Sequence, residues 1–588
     1  MVVLRAENAA LVAEIKVTVG DLVAAGTVVL TTELMKMRHD LRAPIDGCVT
    51  VIHVGLGAEL AGGEALVSFE AAHVATPVAD VKLDRADMLE FETRVSLLSD
   101  DTRADAVAKR HAKGFRTARE NIDDLFDEGS FVEYGALAFA AQRSERSVEE
   151  LRVKTQGDGI ICGVGTVAGR PVAAMAVDYM VLAGTQGFYH HKKMDRLIEV
   201  AGRDGLPIVL FAEGGGGRPN DYDVAHFITA GLNITSFRNF AAHKGQKIGI
   251  VAGYCFAGNA ALFGVCDVRI ATKNSFVGMG GPAMIEGGGL GVVKPTEIGP
   301  SDVQGKNGLH DLVVAGEIDG VAATKRLLGI SEIADSGEGA TDALREIVPA
   351  DRTKAYDMRV AVQAVVDQGS WLELRHGFGI GMITGFARIN GRAIGVLANN
   401  PLHLGGAIDS EAGDKGARFL QLCDAWGVPV LTLCDTPGFM VGPEIETTGQ
   451  VAHISRLFLA GAHFEQPLVT IILRKGYGLG AMAMAGGGFD RPHFCAAWPT
   501  GEVGAMGLEG AVRLGHREQL AAIENENERA KEYQRLVDRL YEKGKALNAA
   551  SQLEFDAVID PSETRAFIDR AFTMAGACIP SGRYVDAW

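Results

Sequence analysis

Three short stretches carry residues whose types and spacing could do chemistry. Glu33-Leu34-Met35-Lys36-Met37 sets one primary amine between two thioethers, with Ala43-Pro44 and Gly47 downstream. β-Branched, strand-like runs flank it, so the pattern predicts a tight hairpin that holds the amine out to solvent, as it would any solvated lysine on a turn. His190-His191-Lys192-Lys193 opens a predicted helix running from Lys192 to Ala201, where main-chain N–H groups and positive charge together suit a phosphate; a solvated basic turn reads the same way. Gly258 and Gly480 lie in glycine-marked segments where a missing side chain lets the main chain approach another atom closely. Two glycines packing a helix against a strand would produce the same pattern.

Other motifs fail on inspection. Gly163-Val164-Gly165 with Ala168 imitates a dinucleotide fingerprint, but the glycines lie inside a strand pattern and no helix follows. Gly299 to Lys306 has one residue too many for a phosphate loop, and Asn307 stands where a magnesium-holding Ser or Thr belongs. Asp435-Thr436-Pro437-Gly438 echoes a nucleotide switch, which means nothing without that loop. There is no H-E-x-x-H and no G-x-S-x-G. The eight cysteines include no C-x-x-C, so no metal site is expected and reduced thiols in a cytoplasmic protein are the simplest reading. A net charge of −17 argues against the basic face that nucleic acid requires, so no nucleic-acid partner is expected. No charged, then apolar, leader opens the chain. Ile248 to Cys266 is long enough and uncharged enough for a membrane span, but its Gly and Asn residues mark a buried strand, turn and helix, and no membrane partner is expected.

These residues need elements to position them, and 588 residues imply three or four domains. Residues 1–70 repeat themselves at an offset of 37: Gly20 to Gly26 matches Gly57 to Gly63, which predicts a small all-β sandwich with quasi-twofold symmetry. Residues 71–98 are expected to form a linker, spanning roughly 30 Å as a flexible coil, with a helical part around Leu83 to Thr93. Beyond it an offset of 222 takes Gly159 to Gly381, Gly163 to Gly385, Gly169-Arg170 to Gly391-Arg392, Lys193 to Lys415, Pro207 to Pro429, Gly216 to Gly438 and Gly258 to Gly480. The chain from 99 onward therefore holds two copies of one domain, 99–340 and 341–588. Strand-like Pro171 to Val177 and Ala393 to Ala398, helical Lys192 to Ala201 and Asp414 to Trp426, then strand-like Pro207 to Phe211 and Pro429 to Cys434 alternate in each copy. That order implies an α/β architecture with ligands at the carboxyl ends of the strands.

The segment around Lys36 resembles biotinyl (biotin carboxyl carrier) domains, whose mark is a Met-Lys-Met turn; Leu34 stands where that pattern has Ala. A lipoyl domain, which carries an acidic residue and Ala around its lysine, is the nearest competitor. Residues 109–588 resemble the carboxyltransferase subunits of biotin-dependent acyl-CoA carboxylases. The matching segments are Lys113-Gly114-Phe115-Arg116-Thr117-Ala118-Arg119-Glu120, Asp127 to Phe131, Thr384 to Ala387, Lys415-Gly416-Ala417-Arg418-Phe419, Asp435 to Phe439, Arg474 to Gly478 and Trp498-Pro499.

The resemblance implies a pair of crotonase-like domains, and biotin joined covalently to Lys36 between Met35 and Met37. It also implies a reaction that moves CO₂ from carboxybiotin to the α or vinylogous carbon of an acyl-CoA. An enolate formed there needs preorganised N–H donors. The family's two oxyanion holes fall on Gly258 and Asn259 in one copy and on Leu479 and Gly480 in the other. Asp435, Pro437, Gly438 and Phe439 would shape the biotin pocket, and His191, Lys192 and Lys193 would meet the phosphates of coenzyme A. Asn259 stands where the family has a second Gly, and the glycine run at 287–291 has no counterpart in it. A separate biotin carboxylase subunit, a biotin protein ligase, an acyl-CoA and a homo-oligomer built on dimers, with a hexamer as its larger form, are the expected partners. A transcarboxylase or decarboxylase using the same pocket, and a non-catalytic biotinylated scaffold, are the alternatives.

Overall fold

A computed structural model describes residues 1–74, 85–224, 232–332 and 334–588. The chain divides into two compact units, Met1–Glu90 and Phe91–Trp588.

The first unit is the expected sandwich. Its strands are β1 (Val2–Arg5), β2 (Ala10–Ile15), β3 (Leu22–Val23), β4 (Val28–Leu34), β5 (Met37–Arg42), β6 (Gly47–Ile52), β7 (Glu59–Leu60) and β8 (Ala65–Ala71). They form two four-stranded sheets, ordered β1-β8-β6-β3 and β5-β4-β2-β7. The 37-residue offset maps β2 onto β6, β3 onto β7 and β4 onto β8, and each short strand pairs in the opposite half's sheet. The core repeats with the same offset: Val12 and Val49, Val29 and Leu66, and Leu30 and Val67 are all buried. Of the expected linker, residues 75–84 lie outside the described residues, and the helical part is observed as α1 (Ala86–Ser96).

The second unit contains two sheets of the same design. The first is ordered β16-β14-β13-β12-β11-β10-β9, built from β9 (Val132–Tyr134), β10 (Ile160–Val167), β11 (Arg170–Val177), β12 (Ile208–Gly214), β13 (Lys247–Phe256), β14 (Val268–Thr272) and β16 (Leu312–Val314). β15 (Phe276–Gly278) is attached to β13. The second is ordered β17-β18-β19-β20-β21-β22-β24, from β17 (Leu372–Leu374), β18 (Met382–Ile389), β19 (Arg392–Asn399), β20 (Val430–Thr436), β21 (Leu468–Tyr477), β22 (Phe494–Ala497) and β24 (Ala557–Val558). β23 (Glu502–Gly504) is attached to β21. In each sheet two antiparallel pairings precede a run of parallel ones, as strand-helix-strand units require.

The 222-residue offset takes β10 to β18, β11 to β19 and β12 to β20, and it takes α2 (Phe188–Asp204) to α3 (Ser410–Trp426). Residues 190, 194, 197 and 201 of α2 are buried at helical spacing, and both helices stop at a left-handed glycine, Gly205 (φ 66°) and Gly427 (φ 68°). Beyond β12 and β20 the offset changes. Ile208 pairs with Lys247 where Val430 pairs with Leu468, so β13 maps onto β21 at 221. The expected match of Gly258 with Gly480 is therefore off by one: the strands place Gly258 on Leu479 and Asn259 on Gly480. One residue is lost between the two strands, where connecting loops absorb length changes that a sheet register does not.

A buried cluster bolts the copies together. Asp311 Oδ1 accepts from Arg375 (2.9 Å) and Arg418 (3.0 Å), both of the second copy, while its Oδ2 accepts from Arg269 Nε (3.3 Å) of the first. Burial alone would raise the Asp311 carboxyl, but the guanidiniums of Arg418, Arg269 and Arg375 outweigh it and hold it well below the usual carboxylate range.

Candidate active site

In each copy a long central strand ends at a corner that turns straight into a short helix. In the first copy β13 leads through Ala257 into α4 (Gly258–Gly264); in the second β21 leads into α5 (Gly478–Met484). The corner requires a left-handed residue, supplied by Ala257 (φ 51°) and by Gly478 (φ 57°). These two positions also correspond at the 221 offset. The opening N–H groups of a helix have no carbonyl one turn before them. Those of Gly258, Asn259, Leu479 and Gly480 donate to nothing among the described residues. Each corner thus offers two adjacent main-chain donors at the positive end of a helix, suited to an oxygen that gains negative charge.

The glycines are also packing residues. A Cβ on Gly480 would lie 2.7 Å from Gly438 Cα, and one on Gly258 would lie 2.5 Å from Gln186 Oε1. Asn259, at the position of Gly480, turns its side chain away from the corner and into the scaffold. Its Nδ2 donates to the carbonyls of Gly184 (3.0 Å), Glu213 (2.8 Å) and Gly215 (2.7 Å), and its Oδ1 accepts from Gln186 Nε2 (2.8 Å). The amide ties three loop carbonyls behind the corner and leaves its own N–H in front.

The loop facing Gly480 is Asp435 to Phe439. Asp435, at the end of β20, is fully buried. Its carboxylate accepts from Arg474 Nε (3.0 Å) and Lys475 N (3.2 Å), which makes it an anchor for the loop, with both oxygens occupied. Gly438 (φ 118°) donates to Thr436 Oγ1 (3.1 Å) and accepts from Ile408 N (3.0 Å), while Phe439 meets Phe458 edge on at 6.0 Å. The first copy has a carboxylate at the same position, Glu213, which sequence reasoning missed although the 222 offset points to it. Its cation is Arg110, 3.1 Å and 2.5 Å away, delivered from the helix Ala104–His111, ahead of the residues that the offset matches. Gly253 occupies Arg474's place, and a Cβ there would lie 2.7 Å from Glu213 Oε1. Burial pushes the Glu213 carboxyl up to about 7 against the pull of Arg110.

The basic turn is not a phosphate site as a whole. His191 is 3% exposed and bonds Ser236 Oγ through Nδ1 (3.2 Å), and burial pushes its imidazole down to about 4. Lys193 is 6% exposed and donates to the carbonyls of Gly157 (3.1 Å) and Ile160. Only Lys192 reaches the surface, with its ammonium 4.8 Å from the Phe188 ring. The helix begins four residues earlier than its predicted start, at Phe188, so three of the four polar side chains at its start, His190, His191 and Lys193, are buried.

In the sandwich, Leu34 pairs with Met37, and the two residues between them, Met35 (φ 51°) and Lys36 (φ 66°), are both left-handed. This is a two-residue type I′ hairpin. Met35 is 90% and Met37 66% exposed, and Lys36 is exposed with no ion pair to it among the described residues. An amine so presented fits covalent attachment of a carried group.

Comparison with known proteins identifies the families of both parts of the chain. Residues 109–577 match the carboxyl transferase domain family, and residues 5–69 match a domain of biotin-requiring enzymes. The propionyl-CoA carboxylase beta chain of Saccharopolyspora erythraea is 33% identical over 80% of this chain and 89% of its own. The methylmalonyl-CoA carboxyltransferase 12S subunit of Propionibacterium freudenreichii is 31% identical over 80% of this chain and 90% of its own. A solved single-chain, multi-domain long-chain acyl-CoA carboxylase superposes with a TM-score of 0.79 at 48% identity, covering 97% of this chain. This chain spans 56% of the length of that protein. The transcarboxylase 12S hexamer, solved with methylmalonyl-CoA bound, has a TM-score of 0.74 at 27% identity over 87% of this chain.

Proposed function

Because the chain belongs to the carboxyl transferase family and carries the domain of a biotin-requiring enzyme, we propose that the Lys36 hairpin delivers a biotin-borne carboxyl group to an acyl-CoA held at the two strand-to-helix corners. Biotin, attached covalently, supplies a mobile carrier of activated CO₂. Gly258 and Asn259 form one donor pair, Leu479 and Gly480 the other. One pair holds the thioester oxygen as its α-carbon becomes an enolate, and the other holds the ureido oxygen. Asp435 and Glu213 act through the loops they anchor and transfer no proton. Lys192 remains as the one residue of the basic turn available to a coenzyme A phosphate.

The observation that carries this reading is the duplication of the corner, with two N–H groups that bond nothing among the described residues in each copy although neither residue recurs: Gly258 stands on Leu479 and Asn259 on Gly480. Selection for a side chain would not produce that. The likeness to a long-chain acyl-CoA carboxylase over nearly the whole chain supports a long-chain acyl thioester as substrate and a biotin carboxylase as partner. A homo-oligomer is supported by the hexamer of the transcarboxylase relative. Six of the eight cysteines are buried and all are free, which suits the reducing cytoplasm, and among the described residues no helix is long and apolar enough to cross a membrane.

The transfer half-reaction tests the proposal without a partner protein. Purified chain, [¹⁴C-carboxyl]methylmalonyl-CoA and biocytin should yield labelled carboxybiocytin and propionyl-CoA. No transfer by a folded, oligomeric protein would refute it.

A further inference from the structure

The two copies diverge after their attached strands. Beyond β15 the first copy runs through two short helices, Pro282–Gly287 and Ser301–Gln304, joined by a glycine-rich stretch, to β16. Beyond β23 the second copy builds a helical lobe from Leu508–Gly515, Arg517–Ala521, the long helix Glu526–Gly544 and Ala546–Ala550 before reaching β24. The lobe has its own small core, in which Leu508, Val512, Leu520, Leu536 and Val537 pack with Tyr477. Arg352 fastens it to the sheet, bonding Glu502 (3.1 Å) and Glu509 (2.8 Å) and lying 5.4 Å from the Tyr541 ring centroid.

The lobe does not close on α5. A cleft of ≈ 800 Å³ remains between them, within the range of about 300 to 1,000 Å³ typical of small-molecule sites. Gly478, the first residue of α5 and the neighbour of Leu479, lies in its wall together with Met482, so the cleft adjoins the helix that carries the second donor pair. Its apolar surface comes from Met482, Phe489, Met506, Leu508, Leu540 and Leu553. The charged residues lining it, Asp490, Lys543 and Glu554, are all exposed and so stand at its rim. Leu553 is 89%, Met506 43% and Met482 38% exposed, an amount of open apolar surface that an aliphatic occupant would cover. The pocket offers no buried charge for a polar group, and its chemistry matches a saturated hydrocarbon tail.

We infer that this cleft takes the alkyl tail of the acyl thioester and sets the chain-length preference of the enzyme. The assignment rests on the carboxyltransferase reading above and adds where the tail lies. Each methylene buried there strengthens binding about fourfold, the equivalent of ~0.8 kcal/mol. Ala511, half-buried on the helix Leu508–Gly515, faces the cleft and takes no part in either donor pair.

The test uses the full biotinylated chain and biocytin as acceptor, with either methylmalonyl-CoA or 2-tetradecylmalonyl-CoA as donor. In both cases the C2–carboxylate bond breaks, a bond from that carboxyl carbon to the ureido nitrogen forms, and the nitrogen's proton passes to C2, leaving propionyl-CoA or palmitoyl-CoA. The wild-type kcat/KM should favour the tetradecyl donor by at least about 100-fold, through KM. Ala511→Phe, and independently Met506→Trp at its exposed position, should cut that preference at least tenfold and leave methylmalonyl-CoA transfer within about twofold. A wild type without chain-length preference overturns the assignment. So does a preference that survives both fillings, or a rise in the KM for biocytin in its place, which would assign the cleft to the biotin ring. Methylmalonyl-CoA transfer by the wild type reports on the carboxyltransferase reading by itself.

Discussion

Lys193 and Lys415 do the same work 222 residues apart: each sends a buried ammonium into two main-chain carbonyls at or just before the start of the first long strand of its copy. Lys193 serves Gly157 and Ile160, and Lys415 serves Arg375 (2.8 Å) and Phe378 (3.0 Å). The pair explains why a lysine recurs in register in both copies, and it removes Lys193 from the ligand site.

Replacement of Lys415 carries a pH signature. Burial pushes its ammonium down to about 7, while a lysine in the unfolded chain titrates near ~10.4. Between these values the unfolded chain holds a proton that the folded protein has released, so the wild type gains stability as pH rises. Lys415→Met removes that gain and strands two carbonyls, at a cost of about 2–4 kcal/mol. Thermal unfolding should show a Tm deficit for the variant that widens from pH 7 to pH 10. A deficit that stays flat or narrows would contradict the burial of this charge.

The joint between the copies should be equally exacting. Asp311→Asn leaves Arg269, Arg375 and Arg418 buried around a neutral group, and breaking a buried pair from one side costs about 3–5 kcal/mol. The urea midpoint should fall accordingly at pH 7. The wild type should approach the variant only in acid, as pH drops toward the lowered titration of Asp311. An unchanged midpoint would mean that the cluster does not hold the copies together.

The hairpin prediction is direct. Coexpressed with a biotin ligase, the chain should gain the mass of one biotin, and Lys36→Arg, at an exposed turn that costs no stability, should gain none. Biotin retained by that variant would move the attachment elsewhere.

Most of the fold was legible because it is periodic. The 37-residue repeat names the core pairs Val12 with Val49 and Leu30 with Val67, and the 222-residue repeat places β10 to β12 on β18 to β20. What the sequence concealed lies where periodicity fails. A one-residue loss in a loop shifts the register to 221 before the corners, and matching the lone glycines Gly258 and Gly480 hid it. The basic turn misled because burial of a lysine depends on carbonyls more than thirty residues upstream, at Gly157 and Ile160. Arg110 could not be paired with Glu213 in advance, since it lies ahead of the residues that the 222 offset matches, and the helical lobe has no counterpart in the first copy to set it apart.

The central claim is that main-chain N–H groups at the corners hold the developing negative charge. Substituting the glycines tests it poorly, because a Cβ at Gly480 collides with Gly438 whatever the chemistry. Leu479 offers a cleaner probe. Its side chain is 60% exposed, and it sits in the first turn of α5, where proline is tolerated because the N–H it lacks has no helical partner. Leu479→Pro deletes one donor, and Leu479→Ala deletes the side chain while keeping it. The decisive measurement is the rate of carboxyl transfer from methylmalonyl-CoA to biocytin by both variants, at matched thermal stability. Loss of one such donor costs about 3–4 kcal/mol of transition-state stabilisation, so Leu479→Pro should fall by about 10²–10³ while Leu479→Ala stays within a few-fold of the wild type. Leu479→Pro transferring at the wild-type rate would contradict the account.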